Sequence, residues 1–408
     1  MKAFEIPDFY RSPLITCIKQ YRRKQDKLKK DFSPTRLDFG TVEIYLARHF
    51  GFCYGVENAI EIAFKAVNEN PGKRIFLLSE MIHNPQVNAD LIKNGVSFIM
   101  DTHGKHFIDW DELNQEDIVI IPAFGTTLET EKILTDLGID PLRYNTTCPF
   151  VEKVWNRSEQ IGQKGYTIII HGKPGHEETR ATFSHSREHA PSVVVKDFTE
   201  AQLLAKYITG EKPMDDFFTD FSGQYSKDFN PLTDLQRIGV VNQTTMLASD
   251  TQQISDYLKQ VITQHHSDES QIHFADTRDT LCYATNDNQS AVVGLLETRA
   301  HLALVVGGYN SSNTSHLVEL CEQKLPTYYI ENAHHLVSDQ KIKHFDLHLH
   351  KEIETLNYLP EVSKPKILMT SGASCPDAMV EQVINRVLSF YPGSLNMDQM
   401  IQQISSFD

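Results

Sequence analysis

The sequence predicts an α/β protein assembled from several parallel-sheet modules, and three observations carry that expectation. Short β-branched runs alternate with helical patterns along nearly the whole chain. Several of these runs are apolar on both faces, as strands covered on both sides of a parallel sheet must be. Small polar or reactive residues stand immediately past the runs, where parallel sheets gather their ligands. At 408 residues the chain is too long for one small core and suggests about two to four compact modules.

Taken in order, the expected strands are RIFLLSE (74–80), DIVIIPAF (117–124), YTIIIHG (166–172), SVVVKDF (192–198), RIGVVNQ (237–243), LALVVGGY (302–309) and KILMTSG (366–372). Helices lie between them. In VENAIEIAFKAV, Val56, Ile60, Ala63, Phe64 and Val67 fall on one stripe at helical spacing. No close repeat occurs, although a module length of roughly 90–130 residues recurs, within the usual domain range. Residues 210–235 mix Gly, Pro and Asp with aromatics at no clean period and are expected as an inserted surface loop with one short helix. The tail from Gly393 is expected as a loosely attached helix.

Hydrophobic residues make up 40% and charged residues 23%, as in ordinary soluble globular proteins. No run of roughly 18 apolar residues suggests a membrane span. The start lacks the apolar segment and cleavage site of a secretory signal. The net charge is −15, yet residues 1–40 carry ten Lys/Arg against five Asp/Glu, concentrated in YRRKQDKLKK (21–30). The remainder therefore sums to −15 − 5 = −20, which disfavours a nucleic-acid track and makes the basic stretch a solvated helix. Six cysteines without close pairs do not form a disulfide framework, and they fit a reducing compartment.

Three of those cysteines share a context. Cys53 in HFGFCYGVENAI, Cys148 in YNTTCPFVEKVW and Cys282 in TRDTLCYATNDNQSA each follow an extended stretch and precede a helix, with Pro149 placed as a first helical residue. A helix N-terminus stabilises a thiolate and readies it for metal. Cys17, Cys321 and Cys375 lack this context: Cys321 reads as core, and Cys375, beside Ser374, is the rival ligand. Three thiolates suit zinc with a further ligand or water, or a 4Fe–4S cubane with one open iron. Spacing leaves both metals open.

The remaining strand ends (EMIHN, AFGTT, HGKPGHEE, NQTT, GGYNSSN and TSGASCP) imply one polar, anion-accepting cavity. Asn310, Ser311, Ser312 and Asn313 lie between a buried strand and a helix. Gly372 permits close approach, Ser374 is placed to cap, and Pro376 to start a helix. With His83 and His176 these groups suit a diphosphate. Neither GxxxxGK[ST] nor GxGxxG occurs, which argues against a nucleoside triphosphatase or a dinucleotide fold. Glu178 is the expected acid, because a carboxyl screened from water can deliver protons near neutral pH. Glu177 reads as a solvated helix charge, and the Thr244 hydroxyl as a proton relay.

These segments, GFCYGVENAI, EMIHNPQVN, TTCPFVEKVW, HGKPGHEET, NQTTML, CYATNDNQSA, GGYNSSNTSHL and TSGASCPD, resemble the 4-hydroxy-3-methylbut-2-enyl diphosphate reductase, or LytB, family. They run in family order from about residue 41 to residue 390, and the length and insertion look like the longer plant and cyanobacterial branch. The resemblance implies one 4Fe–4S cluster on Cys53, Cys148 and Cys282, proton delivery by Glu178 with Thr244 beside it, and diphosphate binding by His83, His176, Thr244, Ser311, Ser312, Asn313 and Ser374. It implies three α/β modules with small, mostly parallel sheets in pseudo-threefold arrangement around the cluster. The corresponding division is a basic extension over 1–40, a module of 41–54 with 280–391 carrying Cys53, Cys282 and the NSSN and SGAS anion site, modules over 55–148 and 149–279, the latter with the 210–235 insertion, and a tail over 392–408.

One departure stands out. Where short bacterial members have a histidine, this chain has Phe124, whose ring cannot donate a comparable hydrogen bond and is left out of the site. The implied reaction is reductive dehydroxylation of an allylic diphosphate by two electrons and two protons, giving isopentenyl and dimethylallyl diphosphate and completing the methylerythritol phosphate route. Without a flavin or nicotinamide motif the electrons are expected from a ferredoxin or flavodoxin, in cytoplasm or plastid stroma. Two other classes remain at this stage, an iron–sulfur electron carrier without substrate and a zinc-dependent phosphate-ester hydrolase. The first would need a fourth ligand and no anion site.

Overall fold

The computed structural model describes residues 4–266, 273–275, 280 and 282–406. Its strands are β1 (Thr35–Asp38), β2 (Glu43–Leu46), β3 (Ile75–Leu77), β4 (Val96–Phe98), β5 (Ile118–Ile120) and β6 (Thr167–His171). They continue with β7 (Ser192–Val195), β8 (Ile238–Asn242), β9 (Leu302–Val306), β10 (Thr327–Ile330), β11 (Lys341–Asp346), β12 (Lys351–Leu356) and β13 (Lys366–Ser371). The chain divides into two compact units, Met1–Glu57 with His83–Gln86 and Tyr283–Asp408, and Asn58–Ile82 with Val87–Cys282.

All seven strands expected from apolar runs form, and β3, β5, β6, β7, β8 and β9 are buried at every position. The second unit holds two three-stranded parallel sheets, ordered β4-β3-β5 and β7-β6-β8. The first unit holds a seven-stranded sheet, β1-β2-β13-β9-β10-β11-β12. Its interior pairs β2·β13, β13·β9 and β9·β10 are parallel, whereas β1, β11 and β12 add antiparallel edges. The α/β class with mostly parallel sheets therefore stands, with hairpins added at both edges of one sheet.

A shared topology underlies the three sheets. In the two three-stranded sheets the first strand in sequence is central, β3 between β4 and β5 and β6 between β7 and β8; in the seven-stranded sheet, setting aside β1, β2 and the antiparallel β11 and β12, β9 lies likewise between β10 and β13. A fourth segment then runs parallel to the third strand. Asn145 pairs with Ile121 just past β5, Phe274 pairs with Ile238 of β8, and β2 pairs with β13. Each fourth segment leads into one of the three cysteines singled out above. Cys282 is the last residue of the second unit, and Cys53 lies in the first.

Four local expectations need correction. Residues 210–235 are not a loose surface loop: Met214–Asp216, Phe217–Asp220 and Pro231–Asp234 are helical, and Phe217, Phe221, Phe229 and Leu235 are buried in one cluster with Tyr207. Aromatic rings supply the contact area that a periodic pattern did not announce; Phe217 stacks on Phe229 at 5.1 Å. The C-terminal helix Met397–Ser405 is not loosely attached, since Met400 and Ile404 are buried in the first unit's core. The basic stretch is helical only to Gln25, and Arg22 within it is buried, donating to the Asp31 carboxylate and the Ser33 carbonyl, both at 2.9 Å. In the helix Tyr54–Glu69 the buried stripe is Val56, Ala59, Ile60, Ala63 and Ala66, with Phe64 and Val67 only half-buried.

The first forty residues also belong to a core. The helix Pro13–Gln25 is capped by Ser12, whose hydroxyl accepts from the Ile15 N–H at 2.9 Å. It buries Leu14, Ile15 and Ile18 in the first unit. Each such side chain contributes about 1.5–3 kcal/mol. Among the described residues no helix is long and apolar enough to cross a membrane.

Candidate active site

The repeated topology places the polar residues at equivalent positions. Past the central strands come His83, His176 and Ser311, at offsets 83 − 77, 176 − 171 and 311 − 306 residues, each at or just before a helix. Past the third strands come Phe124, Thr244 and Ser374.

In the first unit, Ser311 caps the helix Ser312–Glu322, accepting from the Thr314 N–H at 3.2 Å and its hydroxyl at 2.9 Å. Ser312 and Asn313 are buried in the first turn. The Asn313 Oδ1 accepts from the Ala373 N–H at 3.0 Å, which orients the amide, and its Nδ2 is buried without a partner among the described residues. An unsatisfied buried donor costs about 1–3 kcal/mol. Gly372 is required here, because a Cβ would stand 2.0 Å from Thr314 Oγ1. Ser374 does not cap a helix as expected. Its hydroxyl donates to the His83 carbonyl at 3.2 Å, and Pro376 is the N-cap of a helix that starts at Asp377. Ser311, Ser312, Asn313 and Ser374 thus stand past the adjoining strands β9 and β13, and the His83 backbone, from the segment past β3, meets Ser374 there.

In the second unit, His176 caps the helix Glu177–Arg187, its Nδ1 accepting from the Glu178 N–H at 3.2 Å. A ring nitrogen that accepts has no proton, so the neutral imidazole carries it on Nε2. Glu178 is almost fully buried. Its Oε1 accepts from the Thr244 backbone N–H and its Oε2 from the Thr244 hydroxyl at 3.0 Å. Phe124, set aside in the sequence reading, packs edge-to-face on the His176 ring at 5.6 Å.

Each cysteine of the trio immediately precedes a helix: Tyr54–Glu69, Pro149–Gly162 and Tyr283–Leu295. Cys148 is an N-cap, and its own N–H donates to the Ala123 carbonyl at 2.9 Å. The Cys53 N–H donates to Ala373 at 3.2 Å. None of the six cysteines is in a disulfide. Burial pushes the thiols of Cys321 and Cys375 up to about 12. Among the described residues no three His, Cys, Asp or Glu side chains gather as a single ion would require. A cubane makes no such demand, since each thiolate binds a different iron. Each of the three thiols stands at a helix start, the setting that stabilises a thiolate and readies it for iron.

The family profile described as LytB protein matches residues 44–388. The chain belongs to the LytB family. A relative from Cyanothece sp. (strain PCC 7425 / ATCC 29141) is 39% identical over 87% of this chain and 86% of its own length. One from Picosynechococcus sp. (strain ATCC 27264 / PCC 7002 / PR-6) is 40% identical over 86% and 85%. Both bear the name 4-hydroxy-3-methylbut-2-enyl diphosphate reductase, that of an oxidoreductase. The solved structure of the E-1-hydroxy-2-methyl-but-2-enyl-4-diphosphate reductase from Plasmodium falciparum aligns with a TM-score of 0.61 over 86% of this chain and 89% of that one. At 23% identity it speaks for the fold.

Several residues that shape this LytB site escaped the sequence reading. Gln243 ties the β6 and β8 ends together: its Oε1 accepts from the Lys173 N–H at 3.1 Å and the Thr179 hydroxyl at 3.0 Å, and its Nε2 donates to Thr245 at 2.7 Å. Asn242 Oδ1 accepts from Thr280 at 2.7 Å, two residues before Cys282. Amides at strand ends are common, so NQTT carried no signal for these roles. Glu177 is a correction. It is buried, not solvated, and accepts from the Ser79 hydroxyl. The first turn of a helix stabilises a carboxylate there.

Proposed function

We propose that this chain converts (E)-4-hydroxy-3-methylbut-2-enyl diphosphate to isopentenyl and dimethylallyl diphosphate, using one 4Fe–4S cluster held by Cys53, Cys148 and Cys282. The observation that carries this reading beyond family membership is the buried Glu178 carboxyl, gripped on both oxygens by Thr244. Such a group is kept for protons, not for solvent contact. When bound, the cluster supplies a Lewis-acid iron and an electron path to the substrate.

The chain's own residues do the rest. The Asn313 amide, the Ser311 and Ser312 hydroxyls and the helix N-terminus behind them bind the diphosphate as neutral donors. Ser374 donates its hydroxyl to the His83 carbonyl and so holds the backbone that carries this imidazole. His176, with its proton on Nε2, adds a donor. Once protonated, Glu178 donates to the Thr244 hydroxyl in place of accepting from it, and that hydroxyl passes its own proton on. Two protons and two electrons turn R–OH into R–H and water. The electrons come from a separate one-electron protein of the ferredoxin or flavodoxin type.

Anaerobically purified protein should contain about four iron and four sulfide per chain and absorb in the visible, as a three-cysteine cubane requires. With a chemical reductant it should release both C5 diphosphates. Cys148→Ser should lose iron and turnover together. Zinc in place of iron, with phosphate-ester hydrolysis, would point to the hydrolase, and full cluster content in Cys148→Ser sinks the ligand assignment.

A further inference from the structure

We infer that the first thirty residues form the docking face for an acidic ferredoxin-type iron–sulfur carrier, an inference that rests on the reading above in needing an external electron donor. The first unit places this segment against the loop that carries Cys53. Phe4 meets the Tyr54 ring edge-to-face at 4.9 Å, Tyr10 meets Phe52 at 5.7 Å, and the Lys19 ammonium stands 5.1 Å from the Phe50 ring centroid. Lys19 is fixed there by Asp377 at 2.8 Å. Gly51 makes the fit possible: its φ is +78°, and a Cβ would approach Asp377 Oδ1 to 2.4 Å and Lys19 Nζ to 3.2 Å. Residues on both sides of Cys53 are thus packed by the N-terminal segment.

The same segment carries the chain's concentrated positive charge. Gln20, Arg23, Lys24 and Lys27 line one shallow depression, and Arg23, Lys24, Lys27, Lys29 and Lys30 are all exposed. Arg23 lies one turn beyond Lys19, about 6 Å along the helix axis. Residues 1–40 sum to +5 against −20 for the remainder. An acidic partner is therefore repelled by most of this protein's surface and drawn to this end of it. The exposed rings of Phe9 and Tyr54 border the segment and supply apolar area. Redox encounters are small, under about 1,200 Å² of buried surface, so one helix face with an aromatic rim suffices. Transfer between proteins falls steeply with distance, and a patch beside the Cys53 loop keeps it short. The partner's cluster gives one electron per encounter. Two reduced carriers dock in turn, each is oxidised by one electron, and the pair leaves with two protons in the product and water.

The test uses the full chain with Arg23→Glu/Lys27→Glu and two independent readouts. The Kd for an acidic plant-type ferredoxin, measured calorimetrically without substrate, should rise by about tenfold or more at low ionic strength, with the difference shrinking at high salt. Iron content and turnover driven by reduced methyl viologen should stay at wild-type values, while KM for ferredoxin rises. An unchanged Kd overturns the docking face whatever the activity does. So does a Kd change for flavodoxin or for duplex DNA with none for ferredoxin. Wild-type protein that binds ferredoxin through this patch yet turns over no allylic diphosphate would instead remove the proposed reaction and leave the docking face standing.

Discussion

A single carboxyl decides whether proton delivery and binding are separate tasks in this protein. Glu178 keeps both oxygens on Thr244, one through the backbone N–H and one through the hydroxyl. Glu178→Gln keeps the size and the acceptor toward one of those donors but cannot give up a proton. Its kcat should fall by about 10²–10⁴, the usual worth of a general acid, with KM nearly unchanged and iron content intact. Glu177→Gln is no control for this, because that side chain is buried on Ser79 and its loss disturbs the same helix start. Glu188, exposed at the far end of that helix, is the appropriate one. Steady-state kinetics with a chemical reductant check the outcome, and a normal kcat in Glu178→Gln moves the proton source to Thr244 or to the substrate diphosphate. Glu178 and Glu177 sit side by side in the sequence, and only the fold shows that both are buried with different partners.

Elements were legible in proportion to how completely they are buried. The apolar strands β6, β8 and β9 could be read directly, since burial on both faces leaves no polar position. The edge hairpin β11–β12 escaped, because Lys351–Leu356 buries no position and Lys341–Asp346 only Ile342 and His344, so neither carries an apolar run. So did β1–β2, four residues each, joined to the sheet by a charged clasp. There Glu43 accepts from Arg36 at 2.7 Å and Tyr45 at 2.7 Å, with the Lys364 ammonium at 3.4 Å. The hydrogen bond from Arg36 leads in holding the Glu43 carboxyl down to about 2, against 4.5 unperturbed, despite the opposing cost of burial. Because the folded value lies below the unfolded one, the clasp's contribution is whole above about pH 4.5, declines as pH falls and is gone below about 2. Its partners are half-exposed, so it is worth roughly 1 kcal/mol after screening. Glu43→Gln should lower stability by that amount at pH 7 and flatten the acid limb of denaturant midpoints between pH 5 and 2. A variant whose midpoints run parallel to wild type over that range would rule the clasp out.

Two three-stranded sheets and the parallel part of the seven-stranded one, β10-β9-β13, place the earliest of their three strands in the middle, and a segment running parallel to the last of them precedes one cysteine in each. In the sequence this was visible only as a recurring spacing, because parallel modules share topology without sharing residues. The permutation hid the rest: β2 comes from the start of the chain yet completes the repeat of β9, β10 and β13, so Cys53 reads as an opening and acts as a closing element. This organisation has a thermodynamic consequence. A group bound by thiolates from three repeats in the folded chain, and not in the unfolded one, stabilises by its binding free energy. Holoprotein should therefore unfold, anaerobically, at a higher denaturant midpoint than protein stripped by a chelator. Cys53→Ser, Cys148→Ser and Cys282→Ser should each sit at the stripped value whether or not iron and sulfide are supplied. Cys375→Ser is the contrast. It puts a hydroxyl into the core around Met379 and Val380, so it should lower both midpoints by a similar amount and keep the iron-dependent gap. If Cys282→Ser retained that gap while Cys375→Ser lost it, the third ligand would be Cys375, and the one-cysteine-per-repeat rule would fail at its second repeat.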